Sequence, residues 1–390
     1  MPPPAHDVRP DCSEIGTQGW ISDQIEGVAG FRHVDVDVQT TTCILIATKD
    51  GEATIGRTIE HCASQAHVYV VSDGSTDGTA SEARRAGATV LELDENVGKP
   101  QALRTAFFGL KLAERYQAIL VLDDDTRLAP DFVSQAMRAM KPGVAVVCGE
   151  TRSDWMHDLR WNSLVGARAL SYWRYGIFVK QGQSMINAIT VIPGSNSVFR
   201  TSIMSELLAR DVEYIVDDTQ WLLDIQTEKM GRVVYARRAR AYVQDPTTLR
   251  SWYAQTLRWM HGSMQGIRGH RIGRRLSWFS MAYSALIFDW LLYVLFWPAV
   301  LGWVIVRAVG AHHLEATVSM YALGYLAWAV VGAVALRNWR LVLMVPTLVA
   351  MDWIQRVLFV HAFVKAWREP TSECKWVSPT RHDTRWESST

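Results

Sequence analysis

Short apolar runs alternate with longer amphipathic stretches through the first part of the chain. Each run has the continuous hydrophobic character of a strand that is covered on both faces of its sheet. Five runs share this pattern: 43–48, 67–72, 88–92, 118–122 and 144–148. The stretches between them at 53–65, 79–86 and 99–115 read as helices. This alternation predicts a doubly wound, mostly parallel sheet with right-handed connections, whose ligands bind beyond the carboxyl ends of the strands.

A different pattern begins after residue 276, where long apolar segments replace the alternation. Segments 281–306 and 316–336 are each long enough to cross a bilayer, and arginines flank both on one side. They predict a membrane hairpin with residues 311–314 on the far side. The next apolar stretch, 341–364, is interrupted by Pro346 and by two charged residues, so it is either a third span or a broken, re-entrant or interfacial helix. A buried helical bundle in a soluble protein is the alternative for the whole region.

The charge distribution separates these two parts of the chain. Lys and Arg number 40 and Asp and Glu 39, so the net charge of +1 argues against a nucleic-acid binder that relies on bulk positive charge. Residues 249–272 combine aromatic residues, Met and Arg, which is typical of an amphipathic helix at a membrane surface. Only seven charged residues lie between 277 and 364: Asp289, Arg307, Glu315, Arg337, Arg340, Asp352 and Arg356.

The cysteines and the first residues bear on the compartment. The five cysteines are scattered and form no CxxC pair, which is typical of reduced thiols facing a cytosol rather than of a disulfide framework or a zinc site. Residues 1–38 are polar and Pro-rich, so we expect no cleavable leader there and a large domain in the cytoplasm. The predicted organisation has five parts: a lead-in (1–40), a cytosolic domain (41–248), an amphipathic interface helix (249–276), transmembrane or interfacial helices (277–366) and a tail (367–390).

Two polar clusters lie where strands give way to helices. Asp73 stands in the sequence Ser-Asp-Gly-Ser-Thr-Asp-Gly-Thr after the second apolar run. Its carboxylate suits a nucleotide base or ribose, although a turn with a helix cap explains the cluster as well. A calcium loop does not fit, because the position that would need Glu is Arg84. Gly98 and Lys99 open the third helix and suit a phosphate, but Leu93 stands where a Walker A loop needs glycine.

Two acidic clusters follow along the chain. Asp123, Asp124 and Asp125 come directly after a buried strand, where a divalent cation would relieve their mutual repulsion. The outer two point the same way if the strand continues; an acidic turn before the next helix is the alternative. Asp217 and Asp218 head a predicted helix, where one carboxylate raises the pKa of the other and strengthens it as a general base. A helix cap is the alternative there.

The last motif lies on the amphipathic helix that precedes the apolar segments. Gln255, Arg258 and Trp259 are spaced i, i+3 and i+4 and therefore share a helix face. Arginine can bind a diphosphate through two nitrogens, and tryptophan can stack on a sugar or a base. Taken alone, the motif is better explained as an aromatic and basic stripe at a membrane surface.

The order of these motifs resembles the processive family 2 glycosyltransferases, the group that contains cellulose, chitin and hyaluronan synthases and related N-acetylglucosaminyltransferases. An Asp turn, Gly-Lys, Asp-x-Asp, Asp-Asp and Gln-x-x-Arg-Trp stand in sequence ahead of the apolar segments, and the resemblance covers about residues 42–264. Two positions depart from the family pattern. Ser72 stands where the family has a first Asp, and residues 47–51 read Ala-Thr-Lys-Asp-Gly rather than Pro-x-Tyr-Asn-Glu.

The resemblance implies a role for each matching residue. It makes Asp218 the catalytic base, and Asp123 and Asp125 the ligands of Mg²⁺ or Mn²⁺. It places the acceptor against Gly194, Ser195 and Trp259. It assigns the nucleotide-sugar donor to Thr48, Asp73, Lys99, Asp123, Gln255 and Arg258. The stretch from Cys374 to Arg381 resembles a short cytosolic tail motif.

The resemblance also implies a fold and an activity. The fold is a GT-A-like, mostly parallel sheet followed by C-terminal transmembrane helices, in a multi-pass protein of the plasma membrane with a cytoplasmic catalytic domain. The activity is inverting transfer from a UDP-sugar to a growing β-linked glycan, with the bilayer as a partner, no nucleic acid and a possible homo-oligomer. Two alternatives remain: a non-processive transferase that loads a lipid carrier such as polyprenyl phosphate, and a binding or scaffold subunit with a degenerate transferase domain.

Overall fold

The computed structural model describes residues 40–154, 161–274, 276–309 and 314–371. The predicted lead-in, the tail motif from Cys374 and most of the predicted loop at 311–314 lie outside these residues. The described strands are β1 (Thr42–Thr48), β2 (His67–Asp73), β3 (Thr89–Leu93), β4 (Ala118–Leu122), β5 (Thr126–Leu128), β6 (Val144–Ser153), β7 (Asn196–Arg200) and β8 (Arg232–Val243). They form one sheet in the order β3-β2-β1-β4-β7-β6-β8-β5.

Helices cover the sheet and then continue beyond it. The helices of the first domain are α1 (Glu52–Cys62), α2 (Thr79–Arg85), α3 (Lys99–Gly109), α4 (Leu112–Arg115), α5 (Phe132–Ala139), α6 (Ser163–Arg174), α7 (Gln181–Met185), α8 (Thr201–Leu208) and α9 (Asp217–Thr227). A π-helical segment, Tyr175–Lys180, joins α6 to α7. The later helices are α10 (Leu249–Gly269), α11 (Trp278–Leu291), α12 (Trp297–Val309), α13 (Leu314–Ala335) and α14 (Val345–Arg368).

The continuous apolar runs form strands because both faces of the sheet are buried. In β1, Cys43 and Leu45 face one hydrophobic core, and Ile44 and Ile46 face the other. All four side chains are fully buried, and truncation of a large one to Ala would cost about 2–5 kcal/mol of folding free energy. The five predicted strands are confirmed. Four of the seven strand pairs are parallel, as a doubly wound sheet requires.

Strands β5, β7 and β8 were not among the five runs predicted from the sequence. Strand β7 is short and runs antiparallel to both β4 and β6. Strand β8 alternates buried and exposed positions, but its four arginines disguise the apolar half of the pattern. Strand β5 has three residues and pairs antiparallel with β8. These antiparallel pairs make the sheet mixed.

The pairing of β4 with β7 determines what lies at the carboxyl edge. Because the two strands are antiparallel, with Leu122 opposite Asn196, the end of β4 meets the start of β7. The acids that follow Leu122 therefore lie beside the loop that precedes Asn196. The parallel pairing of β1 with β4 adds the end of β1 at Thr48 to the same edge.

Two helical runs among the described residues are long and apolar enough to cross a membrane: Trp278–Arg307 and Trp339–Arg368. The first contains the predicted span 281–306. The second contains 341–364, where the sequence indicated an interruption. Pro346 lies in the first turn of α14, where a missing amide hydrogen costs nothing, and Asp352 pairs with Arg356 one turn later. Both features therefore fit within one continuous helix. The predicted second span falls on α13, where Tyr321–Ala335 is a shorter apolar helix.

Candidate active site

Lys99, Asp123 and Gly194 meet at the carboxyl edge of the sheet. Lys99 is the first residue of α3 and follows Gly98, whose φ of 85° is in the left-handed region that favours glycine. The Lys99 Nζ lies 2.5 Å from Asp123 Oδ1 and 3.5 Å from the Gly194 carbonyl oxygen. The register of β4 and β7 is what brings Asp123 and Gly194 to one place, and α3 adds the cation from the other side.

Asp218 joins this cluster from the first turn of α9. Its Oδ2 accepts a hydrogen bond from the Gly194 backbone N–H at 2.9 Å, and its Oδ1 accepts one from Thr219 Oγ1 at 3.3 Å. A methyl group at position 194 would lie 2.9 Å from Asp218 Oδ2 and 3.6 Å from Lys99 Nζ. The absence of a side chain on Gly194 therefore allows the acid and the amine to approach the same backbone.

The charges of the cluster shift the protonation of its members. Burial and the neighbouring carboxylate of Asp217 raise the pKa of Asp218 to about 7, against the opposing effect of Lys99 and Arg258. Burial works against the charge of Lys99, but the carboxylates of Asp123, Asp217 and Asp218 outweigh it and raise the pKa of the amine. At neutral pH the site thus combines a charged amine with a carboxyl group that is close to its titration midpoint.

The three acids after β4 have different surroundings. Asp124 is buried, with only 2% of its surface exposed; its side chain accepts a hydrogen bond from Thr48 Oγ1, and its carbonyl accepts one from Thr58 Oγ1 at 2.8 Å. Asp123 and Asp125 are partly exposed. The middle acid therefore anchors the turn. Thr48, predicted to contact the donor, is fully buried and contacts that anchor.

Asp73 and the Gly-Lys motif form one structural unit. The Asp73 side chain is fully buried, and its two carboxylate oxygens accept hydrogen bonds from the backbone N–H groups of Val97 at 2.8 Å and Gly98 at 2.9 Å. Burial raises the pKa of Asp73 despite these bonds. The structure places this predicted nucleotide contact beneath the loop that leads to Lys99. Asp73 therefore fixes the start of α3.

The Gln-x-x-Arg-Trp motif, Gln255, Arg258 and Trp259, lies on α10. Arg168, which was not predicted from the sequence, contacts Gln255 and Trp259. The Arg168 Nη2 donates to Gln255 Oε1 at 3.1 Å and to Thr256 Oγ1 at 3.0 Å. Its guanidinium carbon lies 4.7 Å from the centre of the Trp259 ring, a cation–π geometry. Arg258 acts electrostatically on Asp218, which places the motif beside the acidic cluster.

Arg168 itself is fixed by a buried acid. Its side chain is 9% exposed, and its Nε lies 3.8 Å from Asp245 Oδ1. Burial raises the pKa of Asp245 to about 6, although the Arg168 charge opposes this. Arg168 was not among the residues singled out from the sequence, because its helix also carries Arg174 and no motif marks either residue.

The site offers oxygen ligands that suit a divalent cation. Among the described residues, no three His, Cys, Asp or Glu side chains come together as a ready-made metal cage. Asp123 and Asp125 supply two partly exposed carboxylates on either side of the buried Asp124. Mg²⁺ and Mn²⁺ sites of this kind draw their remaining ligands from substrate phosphates and water. The donor set therefore fits the predicted cation as a site that the substrate completes.

Arg168 also lines a cavity of about 560 Å³ between the first domain and the apolar helices. Helices α6, α10, α13 and α14 all contribute to its wall. Its lining combines aromatic rings with polar groups and includes Arg168, Arg174, Trp252, Tyr325, Trp328 and Asp352. Arg168 thus faces both the cavity and the Gln255–Trp259 motif. Ser195, the remaining predicted acceptor residue, is partly exposed beside Gly194.

Comparison with known proteins adds a family and a fold. The family described as glycosyl transferase family group 2 matches residues 118–351, more than half of the chain. The poly-beta-1,6-N-acetyl-D-glucosamine synthase of Staphylococcus epidermidis is 24% identical over 226 residues, which cover 54% of this chain and 49% of that protein. The synthase of the same name from Staphylococcus aureus is 24% identical over 248 residues, covering 59% and 56%. The chain therefore spans about half the length of the curated relatives it matches.

A solved structure of a glycosyltransferase also matches this chain. The mannosyltransferase PcManGT from Pyrobaculum calidifontis, in complex with GDP-Man and Mn²⁺, superposes with a TM-score of 0.54 at 19% identity. The match covers 84% of this chain and 87% of that one. It confirms the GT-A-like fold that the order of the motifs implied.

Proposed function

Because the chain belongs to glycosyl transferase family group 2 and is a glycosyltransferase, we propose that it extends a β-linked polysaccharide from a UDP-sugar. The relatives named above are synthases of an N-acetylglucosamine polymer, which supports a polymeric product. We further propose a multi-pass protein of the plasma membrane whose catalytic domain faces the cytoplasm. The helical runs Trp278–Arg307 and Trp339–Arg368, each of 30 residues, support that location.

One observation carries the proposal: residues from four separate stretches of the chain, including Asp218, meet at one place. Asp218, from α9, contacts the Gly194 amide, which lies beside Lys99 and Asp123. The family resemblance makes Asp218 the base, Gly194 an acceptor contact, Lys99 a donor contact and Asp123 a metal ligand. Residues that serve only as turns and helix caps would have no reason to meet.

The chemistry follows from the positions and charges of these groups. Asp218, in its ionised form, takes the proton from the acceptor hydroxyl as that oxygen attacks the anomeric carbon of the donor sugar. The bond from this carbon to the diphosphate breaks at the same time, and the electron pair leaves with the diphosphate. A pKa of about 7 suits the base, because it is ionised for part of the time at neutral pH and still binds a proton well.

The departing diphosphate carries negative charge that the site must accommodate. Lys99 remains charged, because the surrounding carboxylates raise its pKa, and Arg258 adds a second cation from α10. Such preorganised charges stabilise the leaving group more than the ground state. When bound, Mg²⁺ or Mn²⁺ held by Asp123 and Asp125 would supply further neutralisation. The mannosyltransferase was crystallised in complex with GDP-Man and Mn²⁺, which supports a divalent cation here.

The acceptor glycan would approach along α10. Trp259 offers an aromatic face for a sugar ring. The Arg168 guanidinium contacts the indole ring of Trp259 and keeps it oriented. The cavity beyond Arg168 has the size of a small-molecule pocket and continues toward the apolar helices. We propose that the acceptor end of the growing chain lies between Asp218 and this cavity.

A second function is favoured by the composition of the same cavity. Arg168 and Arg174 contribute two cationic side chains to a wall that α13 and α14 complete with apolar and aromatic groups. A phosphate on a long lipid would match both parts. The chain would then load one sugar onto a carrier such as polyprenyl phosphate rather than extend a polymer.

The size of the product separates the two functions. Membranes that contain the full chain are incubated with one radiolabelled UDP-sugar at a time and with Mg²⁺ or Mn²⁺, and the products are sized after solvent extraction. We expect a polymer that stays in the aqueous phase and is missing in the Asp218→Asn variant. A short, solvent-extractable glycolipid would favour the lipid-carrier function. If no UDP-sugar yielded a labelled product or free UDP, the proposal would be wrong.

A further inference from the structure

Gln265 connects the end of the last helix to the segment that carries Asp218. Its side chain is fully buried on α10. The Oε1 atom accepts a hydrogen bond from the Ile215 backbone N–H at 3.1 Å, and the Nε2 atom donates one to the Glu369 carbonyl oxygen at 2.8 Å. One amide group therefore bridges a residue three positions before Asp218 and the residue that follows α14.

Two glycines bring α10 directly against this segment. A methyl group at Gly262 would lie 2.6 Å from Val216 Cγ2, and one at Gly266 would lie 2.4 Å from Leu223 Cδ1. Real Cβ contacts are not this short, so the backbone of α10 lies on Val216 and on α9 with no side chain between them. A displacement of α10 or of its bridge is thus transmitted to the first turn of α9.

We propose that Gln265 is a positioning residue that sets the protonation and reach of Asp218 through Ile215. The inference rests on the proposed role of Asp218 as the base. The bridge holds the first turn of α9 where Asp218 meets the Gly194 amide and lies within electrostatic range of Lys99. Both interactions favour the ionised carboxylate, so lengthening them leaves a smaller fraction of Asp218 ionised at neutral pH and shifts its titration toward higher pH.

The charges around Asp218 stay the same when Gln265 is replaced. The titratable and charged neighbours of Asp218 lie on six different elements or at their ends, and Gln265 itself carries no charge. They are Asp217, Lys99, Asp123, Arg258, Lys180 and Tyr283. A change in the pH profile of a Gln265 variant therefore reports the position of Asp218 and not the loss of a charge.

The first test replaces Gln265 with Met, which has a similar size and removes both hydrogen bonds. We expect kcat for UDP release by the purified full chain to fall about tenfold, because the displaced Asp218 stabilises the transition state less well, by an amount similar to one hydrogen bond. The acid limb of the kcat–pH profile should move to higher pH, whereas KM for the UDP-sugar should stay within about twofold.

Arg268 provides the matched control on the same helix. Its Nη1 donates to the Trp367 carbonyl oxygen at 3.2 Å, so it also holds the end of α14, but it has no bond to Ile215. Arg268→Ala should leave the acid limb where it is. An equal shift in both variants, or no shift in Gln265→Met, would overturn the inference.

A second pair of variants keeps the test informative if Gln265→Met does not fold. Gly262→Ala leaves the bridge in place and pushes on Val216, so it should move the acid limb in the same direction. Gly109→Ala is its control, because a methyl group there meets nothing within 4 Å. Asp218→Asn distinguishes the proposed role of Asp218 as the base from the proposed positioning role of Gln265. If that variant kept full activity, the proposed base would be wrong; if it lost activity while the Gln265 and Gly262 variants behaved like wild type, only the positioning role would be wrong.

Discussion

The carboxylate of Asp218 accepts a hydrogen bond from the backbone amide of Gly194, and the two atoms lie 2.9 Å apart. The antiparallel pairing of β7 with β4 fixes the position of Gly194, and the start of α9 fixes that of Asp218. The bond therefore joins the loop that contains Gly194 to the start of α9, at the point where the Lys99 side chain also lies.

Turnover should depend on the ionisation of Asp218. A general base works only when deprotonated, so kcat should fall as the pH drops through about 7, the value to which burial and Asp217 raise the pKa. Asp218→Asn should lower kcat by about 10²- to 10⁴-fold. A pH profile of UDP release checks both. An acid limb near pH 4, the ordinary range of an aspartate, would contradict the assignment.

The raised pKa of Asp218 also affects the stability of the fold, but in the opposite direction: low pH reduces turnover and increases stability. Its pKa rises from 3.8 to about 7 on folding, so the stability it contributes is present below pH 3.8 and is lost as the pH rises through 7. Asn cannot ionise and escapes this loss. Asp218→Asn should therefore unfold at a higher temperature than wild type at pH 8, with a difference that shrinks toward pH 5. Thermal unfolding in detergent measures it, and a difference that stayed the same from pH 5 to pH 8 would contradict the prediction.

Gly194→Ala tests how closely the acid and the amine approach. The added methyl group would lie 2.9 Å from Asp218 Oδ2, so either the loop or the carboxylate must move, and the hydrogen bond between them must lengthen. We expect kcat to fall at least tenfold, because a lost charge-assisted hydrogen bond is worth about 1.5–3 kcal/mol. Gly182→Ala, where the methyl group meets nothing within 4 Å, should behave like wild type.

Arg168 should matter for both stability and activity. Its removal leaves the buried carboxylate of Asp245 without its cation and frees the Trp259 ring. Breaking a buried ion pair from one side costs about 3–5 kcal/mol of folding free energy, so Arg168→Ala should unfold at a clearly lower temperature. Arg174→Ala, an exposed arginine on the same helix, should retain the wild-type unfolding temperature.

Substitutions of the three acids after β4 should have different effects: those of Asp123 and Asp125 on metal-dependent binding, and that of Asp124 on stability. Replacing Asp123 and Asp125 together with Ala should abolish Mn²⁺-dependent binding of UDP, because both partly exposed carboxylates are lost. Asp124→Asn should instead lower the unfolding temperature, because the buried acid holds Thr48. Calorimetric titration of UDP with and without Mn²⁺ distinguishes them. UDP binding that kept its metal dependence in the double variant would rule out the metal site.

Local pattern was enough to predict the centre of the sheet but not its far half. The run at 43–48 is apolar at every position up to Thr48 because each face of β1 packs on its own core. Strand β8 lacks that signal, since arginines occupy its exposed positions. The register that puts Leu122 opposite Asn196 joins residues 74 positions apart, and no periodicity along the chain encodes such a pairing.

The candidate site was predictable as a set of motifs and not as a set of contacts. The acids and the Gly-Lys pair are visible because their residue types carry chemistry wherever they occur. That Asp73 is buried beneath the Gly98 amide, or that Thr48 contacts Asp124, depends on how neighbouring strands end. Arg168 has no motif at all, because its role comes from partners far along the chain.

The contact between α10 and the end of α14 has a consequence for the environment of the protein. If α14 spans the bilayer, its tilt depends on how well its apolar length matches the thickness of the hydrocarbon layer. The Glu369 carbonyl moves with that tilt, and the Gln265 amide passes the movement to Ile215. Lipid acyl-chain length then becomes a variable of the reaction itself, and the rate of sugar transfer reports the thickness of the membrane around the enzyme.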